Sequence, residues 1–407
     1  MARWHDGTIM DIGEIFRRYG GEYLKRFGER MLPSHKKAIH DISKCRTEAA
    51  GGHVYKCPGC GHKEYSYHSC GNRSCPQCHR ADNKEWLQKR EMELLPVPYF
   101  HLVFTLPSQL REVTRSNQKL MYDLLFKAAV SVLKEIARES KYLGGEIGIL
   151  CALHTWNRRS DYHVHLHCLV PGVGISTENA PDKGMPLEKQ HLCFTKKTKK
   201  KNKDYFAPGE KLSYGFRKKF LELAENSPIK DQLPKRYKSP NKWVAYCKST
   251  AYGPVKALEY LARYFRGIAM TNNRIVSVQN DVITFKYKWN KDSKDSPWRY
   301  FPVEAMEFMR RFLQHVLPKG FHKVRYYGFL SPTNRHLLTQ INSILQAENA
   351  TQNIEGNQPE PVNGSGDSGD HNRKVCPKCK KCEMVFLKRL FPQKHPLGGR
   401  SPPCSSS

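Results

Sequence analysis

The sequence predicts an α+β protein built on a central antiparallel sheet with flanking helices. A small zinc-ribbon-like module precedes the sheet, and a disordered linker and cysteine-containing tail follow it. Three observations carry this expectation. Short β-rich runs recur in pairs through the middle of the chain, stretches of helical periodicity separate them, and cysteines crowd both ends while thinning out between. The expected units are 1–95, helical and zinc-binding; 96–335, the sheet domain; 336–374, the linker; and 375–407, the tail.

YFHLVFTLP at 99–107 is β-rich and stops at a proline. Residues 115–139 then place Leu120, Leu124, Ala128, Val132 and Ile136 four apart, which predicts a helix ending before Gly144-Gly145. Apolar runs at 146–156 and 162–171 flank the polar turn NRRSD and read as a hairpin. A second hairpin, RIVSVQNDVITFKY at 274–287, follows a helix expected over 254–269. TKKTKKKNK at 195–203 packs six lysines into nine residues, too like-charged to fold alone, and fits a solvated loop or a flexible contact to a DNA backbone. The stretch 348–371 has no aromatic residue and is rich in Gly, Pro, Asn and Ser, the composition of a disordered linker.

Lys and Arg total 68 against 38 Asp and Glu, a formal net charge of +30. Such a surface repels itself unless a polyanion shares it, so nucleic acid is the expected partner. No apolar run approaches the roughly 20 residues that a spanning helix needs, and the first residues lack the apolar core of a signal peptide. A cytoplasmic, nucleoid-associated location in a bacterium is therefore expected, with no membrane partner. In that setting the 14 cysteines point to metal or reduced thiols rather than a disulfide framework.

Cys57-Pro-Gly-Cys60 and Cys75-Pro-Gln-Cys78 are two CxxC knuckles at a spacing that lets four thiolates surround one zinc ion. Four protein ligands leave no open position for chemistry, so the site is expected to be structural. Cys45, Cys70, His62, His68 and His79 are near enough in sequence to form a second site or to exchange with these four. In the tail, Cys376-Pro-Lys-Cys379 resembles another knuckle, although Cys382 breaks the clean pairing.

His163, His165 and His167 alternate with Val164, Leu166 and Cys168, so a strand here turns all three imidazoles to one face. Side chains about 6–7 Å apart along a strand hold one divalent ion if a neighbouring element adds a ligand. His154, on the preceding run, lies just across the expected turn and joins that face if the register allows. The same string also fits a histidine-triad nucleotide hydrolase, in which one imidazole attacks phosphate without metal.

In the helix expected at 254–269, Val255, Leu258, Leu261, Ala262, Phe265 and Ile268 form an apolar stripe. Tyr260 and Tyr264 share a different face, roughly 130° from its centre, with Arg263 and Arg266 beside them. Phenols off the packing face and next to cations are candidate nucleophiles.

Together these residues resemble the transposases of the rolling-circle insertion-sequence family numbered 91, within the His-hydrophobe-His (HUH) two-tyrosine nucleases. The likeness runs through CRT at 45–47, GGH at 51–53, RSCPQC at 73–78, FHLVFTLP at 100–107, HTW at 154–156, HVHLHCLVPG at 163–172, YLARY at 260–264 and HVLPKGFHKVRYYG at 315–328. It implies that His165 and His167 hold a catalytic magnesium or manganese ion, that Tyr260 and Tyr264 are nucleophiles, and that the N-terminal cysteines bind structural zinc; by the strand reading, His154 and His163 are candidates for a further ligand, against a Glu, Gln or His from elsewhere. It further implies nicking of single-stranded DNA through a 5′-phosphotyrosine, without ATP. Arg263, Arg266, Lys319 and Arg325 are the candidate DNA contacts. Two departures concern loop shape: Gly172-Val173-Gly174 where the family has a glycine run, and Asn157 where it often has glycine. The competing expectation from another class is a zinc-ribbon DNA-binding protein without catalysis.

Overall fold

The structure, a computed structural model, describes residues 11–78, 93–182, 185–196, 206–235, 237–238, 243–250, 267–289, 297–353 and 375–392. Its centre is a five-stranded sheet in which every neighbouring pair is antiparallel. The strands are β3 (Tyr99–Thr105), β5 (Ile149–Trp156), β6 (Tyr162–Pro171), β9 (Val244–Thr250) and β13 (Val324–Tyr327), in the order β13-β5-β6-β3-β9. The histidine strand β6 is thus the middle one. Short strands β4 (Gly145–Ile147), β7 (Val173–Ser176) and β8 (Leu192–Phe194) form a small sheet of their own.

The two faces of the central sheet have different duties. Phe100, Leu102 and Phe104 of β3, Cys151 and Leu153 of β5, and Leu166 and Cys168 of β6 point to one side. There they pack with the helices α4 (Gln118–Arg138) and α5 (Gly209–Glu225), preceded by the one-and-a-half-turn α3 (Arg111–Ser116). The four-residue spacing expected for α4 is realised by Leu124, Ala128, Val132 and Ile136, all buried. On the other side, Tyr99, Leu150, Ala152 and Leu169 cover only one end of the sheet, against Leu338, Ile341 and Leu345 of α7 (Arg335–Asn353). The histidines occupy the remainder of that face.

Helix α7 corrects the start of the expected linker, 336–374, whose first residues up to Asn353 are helical. Polar residues dominate its outer face, but Leu338, Ile341 and Leu345 recur at three and four residues and bury against the sheet. One apolar stripe is sufficient for a surface helix. The rest of the expected linker, 354–374, lies outside the described residues.

The described helices of the N-terminal module share their apolar core with a later part of the chain. In α1 (Ile12–Phe27), Asp11 caps the first turn by accepting the Glu14 amide at 2.7 Å. Ile12, Ile15, Phe16, Tyr19 and Tyr23 form its buried stripe. That stripe and α2 (Pro33–Lys44) share one apolar cluster with β10 (Ile275–Gln279), β11 (Val282–Lys288), β12 (Trp298–Glu304) and α6 (Ala305–Leu313). Phe16 meets Phe312 edge-on at 4.9 Å, and the Tyr19 hydroxyl donates to Asp281 at 2.9 Å. The 274–287 hairpin is present as β10 and β11, joined through Asn280 and Asp281 at φ 48° and 61°. Asn and Asp are among the few side chains that tolerate the left-handed pair a two-residue hairpin needs. Beside this cluster, β1 (Gly52–Lys56), β2 (Lys63–Tyr67) and β14 (Val385–Leu390) form a ribbon in the order β14-β1-β2. Among the described residues, no helix is long and apolar enough to cross a membrane.

Candidate functional site

Strand register brings the histidines together. His154 on β5 stands directly opposite His165 on β6, and Ala152 opposite His167, so His154, His165 and His167 share one face. Their rings lie 4.4–5.4 Å apart by centroid, and one nitrogen from each falls within 4.8 Å of the others. His163 is on the same face but outside this converging group; its main-chain oxygen instead accepts a hydrogen bond from His165 Nδ1 at 2.9 Å. That bond requires the proton on Nδ1 and leaves the Nε2 lone pair of His165 for a ligand.

His167 is oriented in the same way by a residue that sequence reasoning passed over. His101 on β3 places Nε2 2.8 Å from His167 Nδ1, and the two rings lie nearly parallel at 5.1 Å. A metal-binding imidazole commonly has its second nitrogen held by such a partner, which sets the tautomer. His101 was hidden because it sits inside an apolar β-run; its period-two placement on the histidine face was the available signal. Trp156 adds a wall, stacked on His154 at 4.4 Å and 19°.

Burial keeps these rings neutral. It pushes His165 down to about 4 and His101, with help from the Lys248 charge, also to about 4. His167 is driven lower still by burial and then by His165, His101 and Lys323. His163 is lowered by burial and by Arg111. Neutral imidazoles are what a divalent ion requires, and a set of nitrogen donors suits manganese better than the harder magnesium. His315, buried between Thr155 and the Ser160 carbonyl, is pushed to about 3 by burial. These folded-state values lie below the unfolded value of about 6.5, so between about pH 4 and 6.5 the unfolded chain binds more protons. The stability from neutral histidines is full above about pH 6.5 and is lost as pH falls through the folded values. The thermal midpoint of metal-free protein should therefore already fall between about pH 6.5 and 5, before most carboxylates titrate; a flat profile there would contradict this reading.

Asn157 resolves the loop after HTW. Its Oδ1 accepts the amides of Arg159 and Asp161 at 2.9 and 3.0 Å, and its Nδ2 donates to Asp161 at 2.9 Å, so the side chain builds the hairpin turn. Such local side-chain bonding is the ordinary turn chemistry of Asn.

The two N-terminal knuckles do not face one another, which corrects the pairing of their four thiols in one site. Cys75 and Cys78 join Cys45 and Cys70, while Cys57 and Cys60 join Cys376 and Cys379 of the tail. In the first group Cys78 Sγ lies 3.5 Å from both Cys45 and Cys70. Tetrahedral zinc with Zn–S bonds of about 2.3 Å spaces its sulfurs roughly 3.8 Å apart, so these residues fit the ion. Sequence separation misled here because α2 returns Cys45 to the 70–78 loop, a tertiary contact no local spacing records. Arg73, in that loop, donates to the carbonyls of Leu317, Pro318 and Phe321 and so ties RSCPQC to HVLPKGF.

The other expected site residues divide. Tyr260, Tyr264, Arg263 and Arg266 lie outside the described residues, as does most of the lysine-rich stretch at 195–203. Lys319 is exposed in a turn. Arg325 has a packing duty: its guanidinium pairs with Asp123 and lies over Phe126 at 4.1 Å and Phe321 at 4.9 Å. A cleft of about 410 Å³ separates the cysteine module from the histidine face, with Arg73, Trp156, His315 and Lys323 in its lining.

An antiparallel sheet carrying convergent histidines, joined to thiol clusters that fit zinc, in a chain of net charge +30, describes a metal-binding protein that acts on nucleic acid. Comparison with known proteins gives the family. Residues 148–336 match the model described as a putative transposase, and residues 15–106 match a transposase zinc-binding domain. The chain is 36% identical over 337 residues to the putative transposase y4qJ of Sinorhizobium fredii, covering 79% of this chain and 80% of that protein. It is 27% identical over 310 residues to the transposase for insertion sequence element IS801 of Pseudomonas savastanoi pv. phaseolicola, covering 72% and 70%. No solved structure matches. The chain belongs to the transposases of insertion-sequence family 91, which carry an N-terminal zinc-binding domain. That membership sets aside the nucleotide-hydrolase alternative.

Proposed function

We propose that this transposase nicks single-stranded DNA at the ends of its element and moves it by rolling-circle strand transfer through a 5′-phosphotyrosine. The observation that carries the reading is the convergence of His154, His165 and His167 on the open part of the central sheet, each offering a nitrogen within 4.8 Å of the others. A divalent ion held there, manganese or magnesium, supplies Lewis-acid polarisation of a scissile phosphate.

The remaining work belongs to the chain's own groups. His101 and the His163 carbonyl fix the two β6 imidazoles with Nε2 outward. The Tyr260 or Tyr264 hydroxyl attacks phosphorus in line, giving up its proton as the 3′-oxygen leaves and becomes a hydroxyl. The new phosphotyrosine keeps the energy of the broken phosphodiester, so no ATP is consumed, and the second tyrosine accepts a second strand. Gly267–Ala269, which follow directly on the tyrosine segment, line the cleft that also contains Trp156, the residue stacked on His154. Labelled single-stranded end DNA incubated with manganese and run on a denaturing gel tests the proposal: a protein–DNA adduct is expected, and binding without any adduct would support the non-catalytic DNA-binding alternative.

Around the histidines, Lys323, Lys248 and Arg111 contribute positive charge. Lys248 and Tyr246 are both exposed on edge strand β9, and pair through β3 with the rows containing His101 and His167. A cation beside an exposed aromatic ring suits a single strand, with phosphate on one and a stacked base on the other. Lys248→Ala and Arg111→Ala should each weaken DNA binding and reduce the slope of log affinity against log salt by about 0.7. Tyr246→Ala should cost about 1–3 kcal/mol of binding with no change in that slope. Titrations at several salt concentrations check both, and an unchanged slope in the two cation variants would remove them from the DNA path.

A further inference from the structure

The cysteines of the tail meet the knuckle that the N-terminal site leaves unused. Cys57 Sγ lies 3.6 Å from Cys379 Sγ, and Cys60 Sγ lies 3.6 Å from Cys376 Sγ, across sequence separations of 322 and 316 residues. All four sulfurs fall within 4.8 Å of one another. A disulfide would need about 2.05 Å, whereas zinc thiolate edges are roughly 3.8 Å. The distances match the metal.

The backbone around each pair makes a similar turn, closed one residue later in the tail. The Cys57 amide donates to His62 O at 2.8 Å and the Gly61 amide to Cys57 O at 3.0 Å. In the tail the Cys376 amide donates to Cys382 O at 2.8 Å and the Lys380 amide to Cys376 O at 2.9 Å. The residue after the second cysteine is left-handed in both, Gly61 at φ 72° and Lys380 at φ 56°. A lysine adopts that conformation at an energetic cost, so something must hold it. Gly59 completes the fit: a Cβ there would come within 2.6 Å of Cys382 Sγ, so the Pro-Gly knuckle is shaped to receive the tail.

Apolar burial does not explain the attachment. Strand β14 pairs with β1 from Gly52↔Leu390 to Lys56↔Val385, yet Val385, Phe386 and Leu387 remain 56%, 55% and 45% exposed. Cys57 and Cys376, by contrast, are fully buried. A strand that buries so little has small means to offset the entropy of ordering it, whereas zinc binding is itself folding free energy.

We propose that Cys57, Cys60, Cys376 and Cys379 form a second structural zinc site, with two ligands from each end of the chain, that clasps strand β14 to the N-terminal ribbon. The known zinc-binding domain match ends at residue 106, so the tail ligands lie outside it. Cys382 borders the site as a fifth thiol and is not a ligand.

Elemental analysis and native mass spectrometry of the full chain test this. About two zinc ions per chain are expected, falling to one in Cys376→Ser/Cys379→Ser and remaining two in Cys382→Ser. Cys57→Ser and Cys75→Ser should each lose one, and the combined variant both. Hydrogen exchange at 385–390 should accelerate in Cys376→Ser/Cys379→Ser and not in Cys75→Ser. Should the N-terminal variants fail to fold, the tail variant, which changes no residue of the three apolar clusters, still decides. Wild-type protein with one zinc, a tail variant that keeps two, or loss of zinc in Cys382→Ser would each overturn the assignment.

Discussion

The double variant Tyr260→Phe/Tyr264→Phe should bind DNA and divalent metal as the parent does and form no covalent adduct at all. In the helix that the sequence predicts at 254–269 the two phenols would be one turn apart and off the apolar stripe, so neither would be needed for packing. Phenylalanine keeps each ring and removes only the attacking oxygen. An unperturbed phenol has a pKa of about 10, and the proposed mechanism gives the sequence neighbours Arg263 and Arg266 the part of easing its ionisation. Each single variant should still form an adduct, mapped by mass spectrometry to the remaining tyrosine, yet fail in complete transposition, for which the proposed mechanism needs two strand transfers. An adduct in the double variant would identify some other residue as the nucleophile and sink the mechanism.

The parts of this site that could be read in the sequence were those encoded by local periodicity. The alternation of His163, His165 and His167 with Val164, Leu166 and Cys168 defines a two-faced strand wherever it is placed, and the structure has that strand in the middle of the sheet. His154 needed one further fact, the hairpin register, which Asn157 helps to set through its bonds to Arg159 and Asp161. His101 was illegible for the opposite reason: a single polar residue in an apolar run looks like noise until β3 lies beside β6. The cysteines show the limit most sharply. CxxC pairs are visible as turns, but which pair meets which is decided by α2 returning Cys45 and by a tail arriving from more than 300 residues away. Composition misled at α7, since Thr339, Ser343 and Gln346 on its exposed face say little about the Leu338, Ile341 and Leu345 stripe beneath.

His165→Ala and His167→Ala should each lower cleavage by about a thousandfold or more, the size of the several kcal/mol a Lewis acid contributes to phosphoryl transfer, while leaving most DNA affinity in place. Binding is carried by cations spread over a surface of net charge +30, and neither imidazole is charged at neutral pH because burial depresses both. Loss of DNA binding in step with cleavage would mean that these residues hold the sheet rather than the ion. His154→Ala tests the third position: the convergence of its nitrogen with the other two predicts a higher manganese requirement, and a wild-type metal titration would move the third ligand elsewhere. His101 separates positioning from ligation. His101→Phe removes the partner of His167 Nδ1 and should weaken manganese binding by about 10–100-fold, as loss of such an orienting group does. Saturating manganese should then restore the cleavage rate, which it cannot do for His167→Ala. His101→Gln, whose side-chain oxygen can accept the same proton, should recover much of the affinity. If His101→Phe binds manganese normally, the 2.8 Å contact is packing alone, and the tautomer of His167 is set by another group.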